Sequence, residues 1–221
     1  MEAEFDRIAE GKKLFIFDFD GTLIDSLDTW SKIDDRFFAQ RNISYDKDEY
    51  THAIMGMNLH QIAEYTIGRY GLVGERPDDV VAEWNRNYDQ IFQTEVAFFP
   101  DADELLRKVR ALGIRVAIAT ASPRDRVLQF LEGSKTEGLV DFICTVEEAG
   151  KAKPDPEVYL RCARHFGLEP RDCVVFEDEL PNLMGAHKGG LGCVCYLSSR
   201  RRETEKRAAA DFVVENYRAL L

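Results

Sequence analysis

Several features are missing from this sequence, and each absence removes a class of protein. No CxxC pair and no Cys/His group at metal-site spacing occurs among the five cysteines, Cys144, Cys162, Cys173, Cys193 and Cys195. That excludes the common zinc modules and a thioredoxin-type redox motif. No apolar run reaches the ~20 residues needed to span a bilayer. Positive charge is also short: the formal net charge is −11, which argues against general nucleic-acid or anionic-membrane binding. A phosphorylated small substrate stays open, because a metal and one or two lysines can set a local field. There is no internal repeat and no low-complexity segment. The opening MEAEFDRIAEGKK is acidic and amphipathic, not basic and then apolar, so it does not read as a secretory leader. With the odd cysteine number, this gives the expectation of a reduced, cytoplasmic protein, monomeric or homodimeric.

What is present is a chain of 221 residues with a hydrophobic share of 45%, enough for one large domain or for a core with a smaller insert. Six short apolar runs predict strands: Leu14–Asp18, Ile114–Thr120, Val140–Cys144, Cys173–Asp178, Gly192–Leu197 and Asp211–Val214. Most are continuous, as in strands covered on both faces. Helical segments with legible ends separate them. DADELLRKVRALG puts Leu105, Leu106, Val109 and Leu112 on one stripe, with Gly113 as its stop. SPRDRVLQFLEG predicts Ser122 as N-cap and Pro123 as first helical residue, and DPEVYLRCARHFG repeats the device with Asp155 and Pro156. The alternation implies a three-layer α/β fold with a parallel sheet. The stretch 27–96 departs from it, because WSKIDDRFFAQ, LHQIAEYTIGRY and DDVVAEWNRNYDQIF all have helical patterns. It reads as a helical insert after the first strand, at the sheet edge where open α/β folds bind ligands, where it would act as a lid.

FIFDFDGTLIDS, Phe15 to Ser26, ends the first strand in Asp18 and Asp20. Two carboxylates leaving a core so close together repel each other and need compensation. A hairpin at Asp20–Gly21 would need an alternating return strand, whereas the following SLDTWSKIDDRFF is helical in pattern. A divalent cation answers the repulsion, and Asp18, Asp20 and Asp178 offer the hard oxygen donors that suit Mg²⁺.

DFDGTLIDS resembles the DxDGTxxDS signature of the haloacid dehalogenase superfamily, and the remaining motifs follow in order. Thr120 closes IRVAIATAS, Lys153 precedes a proline in KAKPDPEVY, and Glu177 and Asp178 sit in CVVFEDE. FFPDADELLRKVRALG resembles the helix by which such chains re-enter the core. The resemblance implies a Rossmann-like core over 1–26 and 97–221 and an α-helical cap over 27–96 that sets substrate specificity. It implies Mg²⁺ as cofactor and an aspartyl-phosphate intermediate. Asp18 would be the nucleophile and Asp20 the acid/base, its backbone carbonyl on the metal. Lys153 would neutralise the phosphoryl group. Thr120 and the amides of Phe19, Gly21 and Ala121 would hold phosphoryl oxygens. Asp178 would be a metal ligand, with Glu177 and Glu179 standing behind the ligands. Glu179 and Asn182 depart from the serine and glycine of many relatives.

Each assignment has a plainer alternative. Thr120 and Ser122 would also suit helix capping, Lys153 a solvated loop, Asp178 and Glu179 the start of a helix, and Asp25 likewise. RRRETEKR (200–207) reads as a solvated helix face, and His165 and His187 as surface residues. In IMGMNLHQ, Gly56 resembles a substrate-loop glycine; Met57, Asn58 and His60 would face the leaving group, although Asn58 also suits a helix cap. His52 and His60 have no metal-ligand partner at suitable spacing.

Within the family, Asp20 speaks against dehalogenation, and the lack of any lysine between Lys47 and Lys108 against a Schiff-base phosphonate hydrolase. A β-phosphoglucomutase-like enzyme remains the alternative. Such enzymes carry a histidine and an arginine where Trp30 and Leu59 stand here, and the insert shows no second phosphate clamp. A catalytically silent binding protein is the other alternative, opposed by the intact Asp18, Asp20, Thr120, Lys153 and Asp178. The expectation is a Mg²⁺-dependent phosphatase acting on a small phosphorylated metabolite such as a sugar phosphate.

Overall fold

The structure is a computed structural model, and it describes residues 4–54 and 57–221. It comprises two compact units, Met1–Asp25 with Ala97–Leu221, and Ser26–Val96.

In the first unit, the continuous apolar runs form the six expected strands: β1 (Leu14–Phe17), β2 (Arg115–Thr120), β3 (Phe142–Thr145), β4 (Cys173–Glu177), β5 (Gly192–Tyr196) and β6 (Phe212–Val214). Every pairing is parallel, in the order β3-β2-β1-β4-β5-β6. All four residues of β1 are fully buried, as a strand covered on both faces requires. Phe15, Phe17 and Phe176 cluster on one face, Phe17 and Phe176 stacked at 4.6 Å; Leu14, Ile16, Val175, Tyr159 and Cys162 pack on the other. Chain order reverses at β1, which pairs with β2 on one side and β4 on the other. That is the switch point where a crevice opens at the carboxyl edge.

The helices of this unit are α1 (Glu4–Ala9), α6 (Ala102–Ala111), α7 (Arg124–Gly133), α8 (Val146–Ala149), α9 (Glu157–His165), α10 (Leu180–Lys188) and α11 (Glu203–Ala209). Leu105, Leu106 and Val109 of α6 are buried as expected, but Leu112 is exposed at the C-cap, one position beyond the stripe. Both proline-led helices start one residue later than expected. Pro123 and Pro156 occupy cap positions, and Ser122 makes no cap bond. Asp155 does accept the Glu157 amide, at 3.0 Å.

The regular elements among the described residues of the second unit are all helices: α2 (Thr29–Gln40), α3 (Lys47–Ile54), α4 (Leu59–Tyr70) and α5 (Pro77–Glu95). Phe37, Phe38, Tyr50 and Trp84 fill its core. Arg41 lies over the Phe37 ring at 3.7 Å and pairs with both Glu75 and Glu83. Among the described residues of either unit, no helix is long and apolar enough to cross a membrane.

Candidate active site

The chain leaves β1 through a tight loop. The Asp18 amide makes a last ladder bond to the Phe176 carbonyl at 2.9 Å. The amides of Leu23 and Ile24 then both turn back onto the Phe19 carbonyl. Gly21, at φ +75°, takes the left-handed step that this reversal needs. Its N–H donates to the Ile24 carbonyl at 3.0 Å. This corrects the expectation that the Gly21 amide holds a phosphoryl oxygen, because the amide closes the loop instead. Phe19 is buried, and its ring meets Phe130 edge-on at 5.5 Å.

Three further strand ends, those of β2, β3 and β4, supply the remaining groups. Thr120 ends β2, fully buried, and its hydroxyl oxygen accepts the Ser122 amide at 2.8 Å. This local turn leaves the hydroxyl proton to donate elsewhere, and it is not a helix cap. Ser122 donates its own hydroxyl to Asp20 Oδ2 at 2.6 Å, which is why it does not cap α7. Ala121 is exposed in the bend between them. Lys153 follows β3 and α8, and its ammonium bonds Asp18 Oδ1 at 2.5 Å and Glu177 Oε1 at 2.8 Å. It is not a solvated lysine: its side chain is 8% exposed.

Glu177, at the end of β4, is the most committed acid of the group. It accepts from Lys153, the Tyr159 hydroxyl, the Asn182 amide group and the backbone amides of Asp178 and Glu179. These five donors leave neither oxygen of the buried carboxylate unsatisfied. Asn182, noted in the sequence only as a departure, therefore donates directly to this anion. Glu179 places its carboxylate at the surface and caps no amide of α10.

Asp18, Glu177 and Asp178 bring carboxylate oxygens within 4.8 Å of one another, all buried. Burial, then the charge of Glu177, raises the Asp18 pKa well above its ordinary value against the pull of Lys153. Burial, Glu177 and Glu179 push Asp178 up to about 7. Burial alone would lower Lys153, but Asp18 and Glu177 raise it well above the usual ammonium value. Three clustered carboxylates facing one directly bonded ammonium are short of positive charge, and an all-oxygen donor set fits a hard divalent cation. Glu177 is taken up by five protein donors, whereas Asp178 accepts one hydroxyl on each oxygen and Asp18 the Lys153 ammonium, so Asp18 and Asp178 are the side chains suited to hold such an ion. The Asp20 carboxylate stands outside this group, tied to Ser122.

Several neighbours were not legible in the motifs. Thr22 Oγ1 donates to Asp178 Oδ1 at 3.4 Å, and Ser198 Oγ to Asp178 Oδ2 at 3.2 Å. Tyr217 donates its hydroxyl to the Thr22 carbonyl at 2.9 Å. Tyr159 could have been noticed as a hydroxyl on an otherwise apolar helix face. The reading of 200–207 as a solvated face is corrected at Lys206, which is only 2% exposed, while Arg200 and Arg207 do form exposed pairs with Glu203 and Glu215. Asp25 is exposed and lies ahead of α2, where it begins no helix.

In the helical unit, Asn58 forms a reciprocal cap with Gln61 at the start of α4. Trp30 is 43% exposed, its ring 5.2 Å from Tyr88, and Met57 is 37% exposed. His60 is exposed between Glu64 and Asp78. Gly56 lies outside the described residues. His165 and His187 are at the surface, as expected.

The family description "Haloacid dehalogenase-like hydrolase" matches residues 15–195. The chain belongs to this family. Validoxylamine A 7'-phosphate phosphatase of Streptomyces hygroscopicus subsp. limoneus is 26% identical over 92% of this chain and 93% of its own. Protein CbbY of Rhodobacter capsulatus is 29% identical over 89% and 90%. Hexitol phosphatase B of Escherichia coli K12 is 24% identical over 89% and 88%. The fold is that of a candidate beta-phosphoglucomutase from Thermotoga maritima, with TM-score 0.84 at 22% identity over 94% of this chain and 96% of the other. The parallel α/β core expected from the sequence is thus a haloacid dehalogenase-like core.

Proposed function

We propose that this family member is a Mg²⁺-dependent phosphomonoesterase acting on a sugar or polyol phosphate through an aspartyl-phosphate. The observation that carries the reading is the bond from Lys153 to Asp18 Oδ1, anchored behind by Glu177. It fixes a carboxylate nucleophile beside a permanent cation at the switch point of the sheet.

Asp18 attacks phosphorus, and the ester oxygen departs with a proton from Asp20. Asp20 then takes a proton from the water that attacks the aspartyl-phosphate, releasing inorganic phosphate and restoring Asp18. Dividing the reaction in this way replaces one hard displacement with two easier ones. Ser122 fixes Asp20 through Oδ2. Lys153, the Thr120 hydroxyl and the amides of Phe19 and Ala121 hold the phosphoryl oxygens. Asp18, Asp178 and the Asp20 backbone carbonyl would hold Mg²⁺, which when bound supplies Lewis-acid polarisation and offsets the clustered negative charge.

Substrate class is supported by the relatives. One is named a hexitol phosphatase and another a validoxylamine A 7'-phosphate phosphatase; a CbbY from Rhodobacter sphaeroides was crystallised with xylulose-(1,5)bisphosphate. The helical unit, Ser26–Val96, selects among substrates in this reading, with Trp30, Met57 and His60 as contributors. Asn58 is committed to its cap.

The test is phosphate release from a generic aryl phosphate and a panel of sugar phosphates, with and without Mg²⁺. Asp18→Asn should lose more than about 1,000-fold in kcat. Equal rates for wild type and variant would remove Asp18 from the mechanism. Conversion of glucose 1-phosphate into glucose 6-phosphate without phosphate release would replace hydrolysis by mutase chemistry.

A further inference from the structure

The family match ends at residue 195, yet the following residues reach the metal-site acid Asp178 along two routes. By the first, Ser198, just past β5, donates its hydroxyl to Asp178 Oδ2 at 3.2 Å. Its neighbour Ser199 offers a carbonyl to the buried Lys206 ammonium of α11 at 3.5 Å. By the second, Tyr217 stacks on Tyr196 with centroids 4.4 Å apart and planes 8° from parallel. Its hydroxyl holds the Thr22 carbonyl, and the Thr22 hydroxyl donates to Asp178 Oδ1. Each oxygen of Asp178 thus accepts a hydroxyl, and a buried C-terminal side chain holds the backbone carbonyl of Thr22 at one hydroxyl and of Ser199, next to Ser198, at the other.

We infer that the C-terminal segment 196–221 positions Asp178 for metal binding, with Ser198 as the direct positioning residue and Lys206 and Tyr217 as its supports. This rests on the reading of Asp178 as a metal ligand. A carboxylate on a short loop after a strand has two rotatable bonds, and an ion gains affinity when its ligand is already oriented. Tyr217 and Lys206 are buried and bond Thr22 and Ser199, through which they act. Burial of a lysine is costly unless it is bonded and near opposite charge, and the Ser199 carbonyl together with the field of Asp178 provides both.

The decisive measurement is Mg²⁺ affinity by calorimetry on the full chain, without substrate, alongside thermal unfolding. Ser198→Ala should weaken Mg²⁺ by about tenfold, and Ser198→Thr, which keeps the hydroxyl, should restore it. Tyr217→Phe keeps the stacked ring and should weaken Mg²⁺ in the same direction. At saturating Mg²⁺, KM for an aryl phosphate should stay unchanged in all three. A purely structural role would lower the melting temperature and leave metal affinity alone. Affinities within twofold of wild type for both Ser198→Ala and Tyr217→Phe would overturn the inference while leaving the metal site intact. Asp178→Asn is the control: if it binds Mg²⁺ as tightly as wild type, the metal assignment fails and the inference fails with it.

Discussion

Glu177 shows how the charge of a single residue can be made tolerable and then used. Its bonds to Lys153, Tyr159 and Asn182 turn a buried anion into a bracket for the cation that touches Asp18. Removing the cation in Lys153→Met strands two carboxylates in the core, so unfolding free energy should drop by about 3–5 kcal/mol. Denaturant titration at neutral pH measures it, and a loss below ~1 kcal/mol would contradict the pairing. Tyr159→Phe deletes one donor and should cost about 1–3 kcal/mol with a milder loss of turnover. Asp178 gives a pH signature. Burial raises its folded pKa to about 7, against about 3.9 unfolded, so the folded state favours the protonated form. Its stabilising effect is full below about pH 4 and is lost as pH climbs through 7, a change on the order of 4 kcal/mol. In metal-free protein the melting temperature should therefore fall across that window more steeply for wild type than for Asp178→Asn. Mg²⁺ added at pH 7 should raise the wild-type value only.

Single elements carry constraints of their own. The loop bearing Lys153 lies against α10 where Gly185 has no side chain; a Cβ there would collide with the Pro154 carbonyl oxygen. Gly185→Ala should displace the loop and cut kcat at least tenfold while Mg²⁺ binding changes less, since Lys153 moves and Asp178 does not. Undiminished turnover would show that the loop has slack. At α4, Asn58→Ala should cost about 1 kcal/mol through the lost cap and leave aryl phosphate turnover unchanged. The strands were legible because continuous burial leaves continuous apolar runs, and the motif acids because they interrupt those runs at strand ends. The helix starts lie one residue beyond the sequence pattern at Pro123 and Pro156; at the first, Ser122 has a competing partner in Asp20 that no local pattern reveals. Lys206 is likewise hidden from local pattern: charge alternation along 200–207 signals exposure, while its burial comes from how α11 packs in the fold. Thr22 and Ser198 meet Asp178, and Tyr217 meets Thr22, only through the fold, the Thr22 bonds spanning 156 and 195 residues of chain.

At the scale of the whole molecule, one unit carries every motif of the proposed chemistry and the other carries none. Substitutions in Ser26–Val96, such as Trp30→Ala, should thus change the ranking of sugar phosphates several-fold and alter aryl phosphate turnover far less. The net charge of −11 would repel a phosphorylated substrate at long range, so the local field of Lys153 and Mg²⁺ has to dominate within the site. Low salt should accordingly raise KM slightly. The central claim is covalent capture of phosphorus by Asp18 in a magnesium-bearing pocket. Its most direct test is a crystal structure grown with Mg²⁺ and beryllium fluoride. A tetrahedral beryllium trifluoride joined to an Asp18 oxygen, with Mg²⁺ on Asp18 and Asp178, is the expected result; empty density beside Asp18 in crystals that retain Mg²⁺ would contradict covalent capture.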